Sequence, residues 1–272
     1  MSSGTATRPP SPLEDWPQLR RRLADRRPVV FLDFDGTLSP IVERPGDAAI
    51  LPEVRAAVER LARRVPVIVV SGRDRRDVAA RVGLPGLHYA GSHGFDIAGP
   101  EGSGVRHEVA ADLPPVVARV AARLRRELES VPGAEVEPKR FTVAVHYRRV
   151  PAERAGEVEA AVDRAVADHP RLAKAGGKKV FEVRPDLAWD KGEALLYLLA
   201  ELGLDGPEAL PVYVGDDLTD EDAFRALAER AGGGLAVRVA DEPAETAAEW
   251  SLASPHEVAE LLDRLAAELG GG

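Results

Sequence analysis

Residues Pro28–Leu38 read PVVFLDFDGTL, a short apolar run that stops abruptly at Asp33-Phe34-Asp35-Gly36-Thr37. A run of this length with a sudden polar end is the signature of a strand buried on both faces of a parallel sheet. The next segment, LPEVRAAVERLARR from Leu51, places Leu51, Val54, Val58 and Leu61 at helical spacing. Pro52 suits its first turn, and the arginines gather at the C-terminal end, where the helix dipole favours them. Val65–Val70 (VPVIVV) reads as a second buried strand ending in Ser71-Gly72-Arg73, and Leu87–Ala90 as a third ending in Gly91-Ser92-His93-Gly94. Strand and helix alternate, which predicts an α/β fold with a doubly wound parallel sheet.

The pattern breaks at Gly99–Gly104 (GPEGSG), a turn-rich stretch. Pro115–Ser130 and Ala152–Asp168 read as amphipathic helices, and Phe141–Val150 and Lys178–Arg184 as strands, each preceded by strand-like residues. The order helix, hairpin, helix, hairpin predicts a small α+β domain with one sheet face open. After Pro185 the first pattern resumes with a helix at Lys191–Leu202, a buried strand at Leu210–Val214 ending in Gly215-Asp216-Asp217, a helix at Asp220–Ala231 and a last strand at Ala236–Val239. The expected organisation is a tail and leading helix over 1–26, a core over 27–97 and 187–272, and an inserted cap over 98–186.

Composition narrows the function. The 272 residues carry a net charge of −9, which argues against nucleic acid as the main ligand. There is no cysteine, so thiol nucleophiles, disulfides and cysteine metal sites are excluded. No apolar run is long enough to span a membrane, and MSSGTATRPPSPLEDW has no signal-peptide core and reads as a disordered tail. The expectation is a cytoplasmic monomer acting on a small molecule, with no nucleic-acid or membrane partner.

Four predicted strands end in chemically capable groups: Asp33/Asp35, Ser71, His93 and Asp216/Asp217. In open parallel sheets, ligands bind at the carboxyl ends of the strands. Three carboxylates, Asp33, Asp35 and Asp216, repel one another unless a cation lies among them. An all-oxygen set points to a hard cation, and few protein ligands with room for phosphate oxygens suit Mg²⁺. An aspartate can attack phosphorus and form an aspartyl-phosphate. Lys191 opens a helix, so its ammonium and the helix N-terminus are both placed to meet an anion. Ser71 and the amides that follow it, Gly72 first, are phosphate donors, and Thr37 is assigned to the same group. Asp35 is the natural acid for the leaving oxygen and then base for water.

The motifs Asp33-Phe34-Asp35-Gly36-Thr37-Leu38, Ser71, Lys191 and Gly215-Asp216-Asp217 resemble the four motifs of the haloacid dehalogenase (HAD) superfamily, in its order. That resemblance implies a HAD-like Rossmannoid core with a cap. It also implies Asp33 as nucleophile, Asp35 as acid/base, and Mg²⁺ bound by Asp33, the carbonyl of Asp35, and Asp216. From Val29 to Trp250 the chain further resembles the trehalose-6-phosphate phosphatases. The resemblance rests on GSHG at Gly91, EPK at Glu137, HYR at His146, KVFEVRP at Lys179, WDKG at Trp189 and GDDLTDED at Gly215. It implies hydrolysis of trehalose 6-phosphate, with Arg73, His93, Gly94, Lys139, His146, Arg148 and Glu182 binding substrate. No synthase domain is recognisable, so no sugar-phosphate synthesis is expected.

Blander readings stand beside these. Asp33/Asp35 and Ser71-Gly72 are also turn chemistry, and Lys191 is also an ordinary solvated helix residue. Asp217 and Asp220 either cap the next helix or support the metal from behind its ligands. His146 and Arg148 share a strand face that is also a plain solvent face, and Glu182 with Arg184 is also a cross-strand ion pair. Competing functions are a phosphatase for sucrose 6-phosphate or mannosylglycerate phosphate, a phosphomutase, and a sugar-phosphate-binding module without catalysis. A dinucleotide-binding protein is disfavoured, because no GxGxxG follows the first strand.

Overall fold

A computed structural model describes residues 7–177 and 179–270. In chain order the first elements are α1 (Trp16–Leu23), β1 (Arg27–Leu32), α2 (Pro52–Ala62), β2 (Val67–Val70), α3 (Arg75–Val82), β3 (His88–Gly91), β4 (Asp96–Ala98) and β5 (Arg106–Glu108). Then follow α4 (Pro114–Glu127), β6 (Glu135–Pro138), β7 (Val143–His146), α5 (Ala155–Ala167), β8 (Leu172–Gly177) and β9 (Val180–Pro185). The chain closes with α6 (Lys191–Glu201), β10 (Ala209–Gly215), α7 (Asp220–Glu229), β11 (Leu235–Val239), β12 (Trp250–Leu252) and α8 (Pro255–Glu268).

The main sheet has the order β12-β11-β10-β1-β2-β3-β4-β5. β1 is central and pairs in parallel with β10 and β2. Its alternate residues serve opposite layers, as the strand's period of two requires. Val30 and Leu32 pack with α2 and α8 residues such as Val58 and Leu262. Val29 and Phe31 pack with α6 and α7 residues such as Leu198 and Phe224. The chain is therefore α/β and doubly wound, with β1 buried on both faces because both helix layers cover it.

Two compact units are present, one running to His107 and resuming at Trp189, the other Glu108–Ala188. The second unit holds the antiparallel sheet β6-β7-β9-β8, with α4 and α5 packed through Val117, Val120, Val158 and Val162 onto Val143, Val145 and Val183.

Several elements differ from the sequence reading. GPEGSG is not the start of the insert; it is the connection between β4 and β5, which extend the edge of the main sheet, with β4 antiparallel to β3. β11 is not the last strand, because β12 pairs with it in parallel and α8 follows. The expected tail is ordered from Arg8 onward. Ser251 on the edge strand donates through its amide to the Pro10 carbonyl at 2.9 Å and through its hydroxyl to that of Pro9, and accepts from Arg8 Nε at 3.0 Å. An edge strand with unpaired amides supplies the partner that a polar segment lacks by itself; the rest of the expected tail, residues 1–6, lies outside the described residues. β7 stops at His146, and Arg148 lies in a turn, so the two do not share a strand face. There the Arg149 backbone presses on Gly133, where no β-carbon fits. Lys178 is outside the described residues. Among those residues no helix is long and apolar enough to cross a membrane.

Candidate active site

Strand register brings the acids together. Leu32 pairs with Val214, and Asp33 N donates to the Val214 carbonyl at 2.9 Å, which sets Asp33 level with Gly215 and beside Asp216. Carboxylate oxygens of Asp33, Asp216 and Asp220 lie within 4.8 Å of one another. Two glycines make this possible. A β-carbon on Gly36 would overlap the Asp216 carboxylate, and one on Gly215 would overlap Asp220. Gly36 also has φ +80°, a backbone that favours glycine.

Lys191 is the counter-charge. Its Nζ donates to Asp33 Oδ1 at 2.8 Å and to Asp220 Oδ1 at 2.7 Å, with all three side chains buried. The hydroxyl of Tyr213 donates to the same Asp220 oxygen at 2.7 Å, and Asp217 N donates to Asp220 Oδ2 at 2.9 Å. Asp220 is thus inside the acidic cluster, whereas the Asp217 carboxylate is exposed and accepts from Leu218 N. The first amides of α6 are engaged within the chain, which the sequence reading did not anticipate. Asp190 caps the helix, accepting from Gly192 N at 2.8 Å and Glu193 N at 3.0 Å, so Lys191 acts through its side chain.

Three carboxylates share one ammonium, and the imbalance is visible in the acidities of Asp33 and Asp216. Burial pushes Asp216 up to about 9, with the charge of Asp33 adding to it. Burial likewise raises Asp33 to about 7 against the pull of Lys191. An oxygen-only, electron-rich cluster of this kind fits a hard divalent cation, which would offset the repulsion.

Asp35 points to a different partner. Arg73 donates to it through Nε and Nη2, both at 2.7 Å, a bidentate pair, and reaches Asp77 at 3.2 Å and the Pro45 carbonyl at 2.8 Å. Arg73 therefore lies on the candidate acid/base and on the loop after β1. Ser71 is buried, and its hydroxyl accepts from Arg73 N at 3.2 Å. Thr37 is fully buried, and its hydroxyl has no protein hydrogen-bond partner among the described residues.

His93 follows directly. Its amide donates to the Ser71 carbonyl at 2.9 Å, and Ser92 N donates to that of Arg73 at 2.7 Å. Ser92 (φ 51°), His93 (φ 58°) and Gly94 (φ 92°) are all left-handed. For a non-glycine residue this costs about 1–3 kcal/mol and persists only where the surroundings over-determine it. In the second unit, His146 Nε2 lies 2.9 Å from Glu137 Oε2, while Ala144, opposite Glu182 in the ladder, is buried. Lys139 N donates to the Thr142 carbonyl at 2.8 Å in the connection between β6 and β7.

Sequence reasoning missed Tyr213, the Arg73–Asp35 pair and the capping role of Asp190. Only Tyr213 left a trace, as the one residue with a polar tip in the strand LPVYV.

A family model described as trehalose-phosphatase matches residues 31–256. The trehalose-phosphate phosphatase of Mycobacterium avium (strain 104) is 50% identical over 254 residues, covering 92% of this chain and 65% of that protein. The chain thus spans a little under two-thirds of that relative's length. The C-terminal domain of Candida albicans trehalose-6-phosphate phosphatase superposes with a TM-score of 0.77 at 24% identity, over 97% of this chain and 99% of that one. A haloacid dehalogenase-like hydrolase from Bacteroides thetaiotaomicron gives 0.62 at 18% identity, over 88% and 99%. The latter two likenesses establish the fold, a HAD-type core with a cap.

Proposed function

This chain belongs to the trehalose-phosphatase family, and on that premise we propose that it hydrolyses trehalose 6-phosphate to trehalose and phosphate. The observation that carries the reading is the buried Asp33, held by Lys191 at 2.8 Å beside Asp216 and Asp220 at the strand ends.

Asp33 attacks phosphorus; the bond from phosphorus to the sugar C6 oxygen breaks, and an aspartyl-phosphate forms. Asp35 gives a proton to the departing oxygen, then takes one from the water that hydrolyses the intermediate and releases phosphate. Both oxygens of Asp35 are engaged by Arg73, so this work requires that pairing to open. Lys191, the Ser71 hydroxyl and the Gly72 amide offset phosphoryl charge. Mg²⁺, held by Asp33, Asp216 and the Asp35 carbonyl, with Asp217 and Asp220 around it, would supply further neutralisation of that charge. Lys139, His146, Arg148 and Glu182 read the sugar hydroxyls. The enzyme works on a small molecule in the cytoplasm as a monomer, without nucleic acid or membrane, consistent with its net charge of −9.

The test is phosphate release from trehalose 6-phosphate, sucrose 6-phosphate, glucose 6-phosphate and a nitrophenyl ester, with Mg²⁺ and with a chelator. Metal-dependent preference for trehalose 6-phosphate is expected, and Asp33→Asn should remove it with the fold intact. Preference for another sugar would replace the substrate and keep the chemistry. Near-normal rates in Asp33→Asn would sink the covalent route.

A further inference from the structure

Ser92 and His93 are consecutive left-handed residues, the only such non-glycine pair among the described residues. The contorted turn has one clear consequence for a side chain. It lays the His93 imidazole on Gly72, so that a β-carbon there would come within 2.7 Å of Cε1 and 2.8 Å of Nε2. The His93 amide is also bonded to the Ser71 carbonyl, and the Ser92 amide to that of Arg73, so the turn is stitched to each side of Gly72. Ser92 Oγ is further tied to Asp74 Oδ1 at 3.3 Å. These three hydrogen bonds fall on residues 71–74, the segment that follows β2.

We propose that His93 serves the phosphoryl end of the substrate, not its sugar hydroxyls: the imidazole, held over Gly72, contacts the phosphoryl group or the oxygen that leaves it. This rests on the reading of Ser71 and Gly72 as phosphate donors. It narrows the general role in substrate binding that likeness to the family implied for His93. Gly72 is then glycine for two reasons, an amide close to the anion and a ring packed on its α-carbon. A side chain at that position would drive the imidazole off.

The two product halves separate the assignments. Affinities for inorganic phosphate and for trehalose are measured independently, by calorimetry and as inhibition of nitrophenyl phosphate turnover. Wild type is compared with His93→Asn and His93→Gln, and melting is followed in parallel to confirm folding. The expected result is phosphate binding weakened about tenfold or more, the scale of one hydrogen bond to a charged group, with trehalose affinity changed less than about twofold. Loss of trehalose affinity with phosphate binding intact would overturn the assignment, as would equal loss of both or no change in either. If the His93 variants fail to fold, the His93 ring resonances of the wild type, followed by NMR, must shift on addition of inorganic phosphate and stay in place on addition of trehalose; the reverse would overturn the assignment. Should wild type not bind trehalose at all, the proposed substrate fails, while the phosphate measurement still decides the role of His93.

Discussion

Gly36 and Asp216 interlock: they sit 180 positions apart in the chain, and the α-carbon of one is so close to the carboxylate of the other that no side chain fits between them. Gly36→Ala adds one methyl group at φ +80° and pushes Asp216 out of the cluster. Displacement by about 1 Å is enough for a 100-fold loss. The expected outcome is a fall in kcat of at least about that size, with the melting temperature lowered only by a few degrees. Wild-type turnover in Gly36→Ala would contradict the arrangement.

Lys191 is the only ammonium inside the described acidic cluster. Lys191→Met leaves Asp33 and Asp220 buried without their cation, a change that costs about 3–5 kcal/mol. Differential scanning calorimetry should find a melting temperature lower by on the order of 10 °C. A variant as stable as wild type would mean that the pair contributes nothing to the fold.

Stability without metal should fall as pH rises. Asp33 is raised to about 7 and Asp216 to about 9, both above their ordinary 3.8. Between pH 3.8 and these values the native state keeps protons that the unfolded chain has released. Unfolding is therefore increasingly favoured with rising pH through that window. A divalent cation competes with those protons, so the shift in melting temperature produced by Mg²⁺ should grow from pH 6 to pH 9. A shift that is flat with pH would show that the cation binds elsewhere.

Recognition of the sugar should be separable from the chemistry. His146 is oriented by Glu137 at 2.9 Å. His146→Ala and Lys139→Ala are expected to lower kcat/KM for trehalose 6-phosphate by about tenfold or more, since a site built to pair with hydroxyls loses heavily when a partner goes. Slow turnover of nitrophenyl phosphate should be spared. Equal losses on both substrates would remove these residues from sugar recognition.

The local pattern of residues determined a good deal by itself. Apolar runs such as PVVFL and VPVIVV marked the buried strands, and the groups placed just after them marked the carboxyl edge of the sheet. These signals are legible because burial on both faces of a strand demands a continuous apolar run, and the run must end where the chain leaves the core. The insert was legible for the same reason, in its change of period. Its start was not, because GPEGSG reads the same as a linker or as a hairpin connection, and only the pairing of β4 with β3 decides. Tertiary structure alone decided which polar side chains meet. Lys191 finds Asp33 across 158 positions, Arg73 takes Asp35 across 38, and Arg8 reaches Ser251 across 243. A side chain's partner depends on strand register and on which helix layer covers it, and neither is written in the spacing of one segment. The left-handed turn at Ser92 and His93 was invisible for a related reason. No local preference favours it, and its hydrogen bonds to Ser71, Arg73 and Asp74 come from the neighbouring strand end.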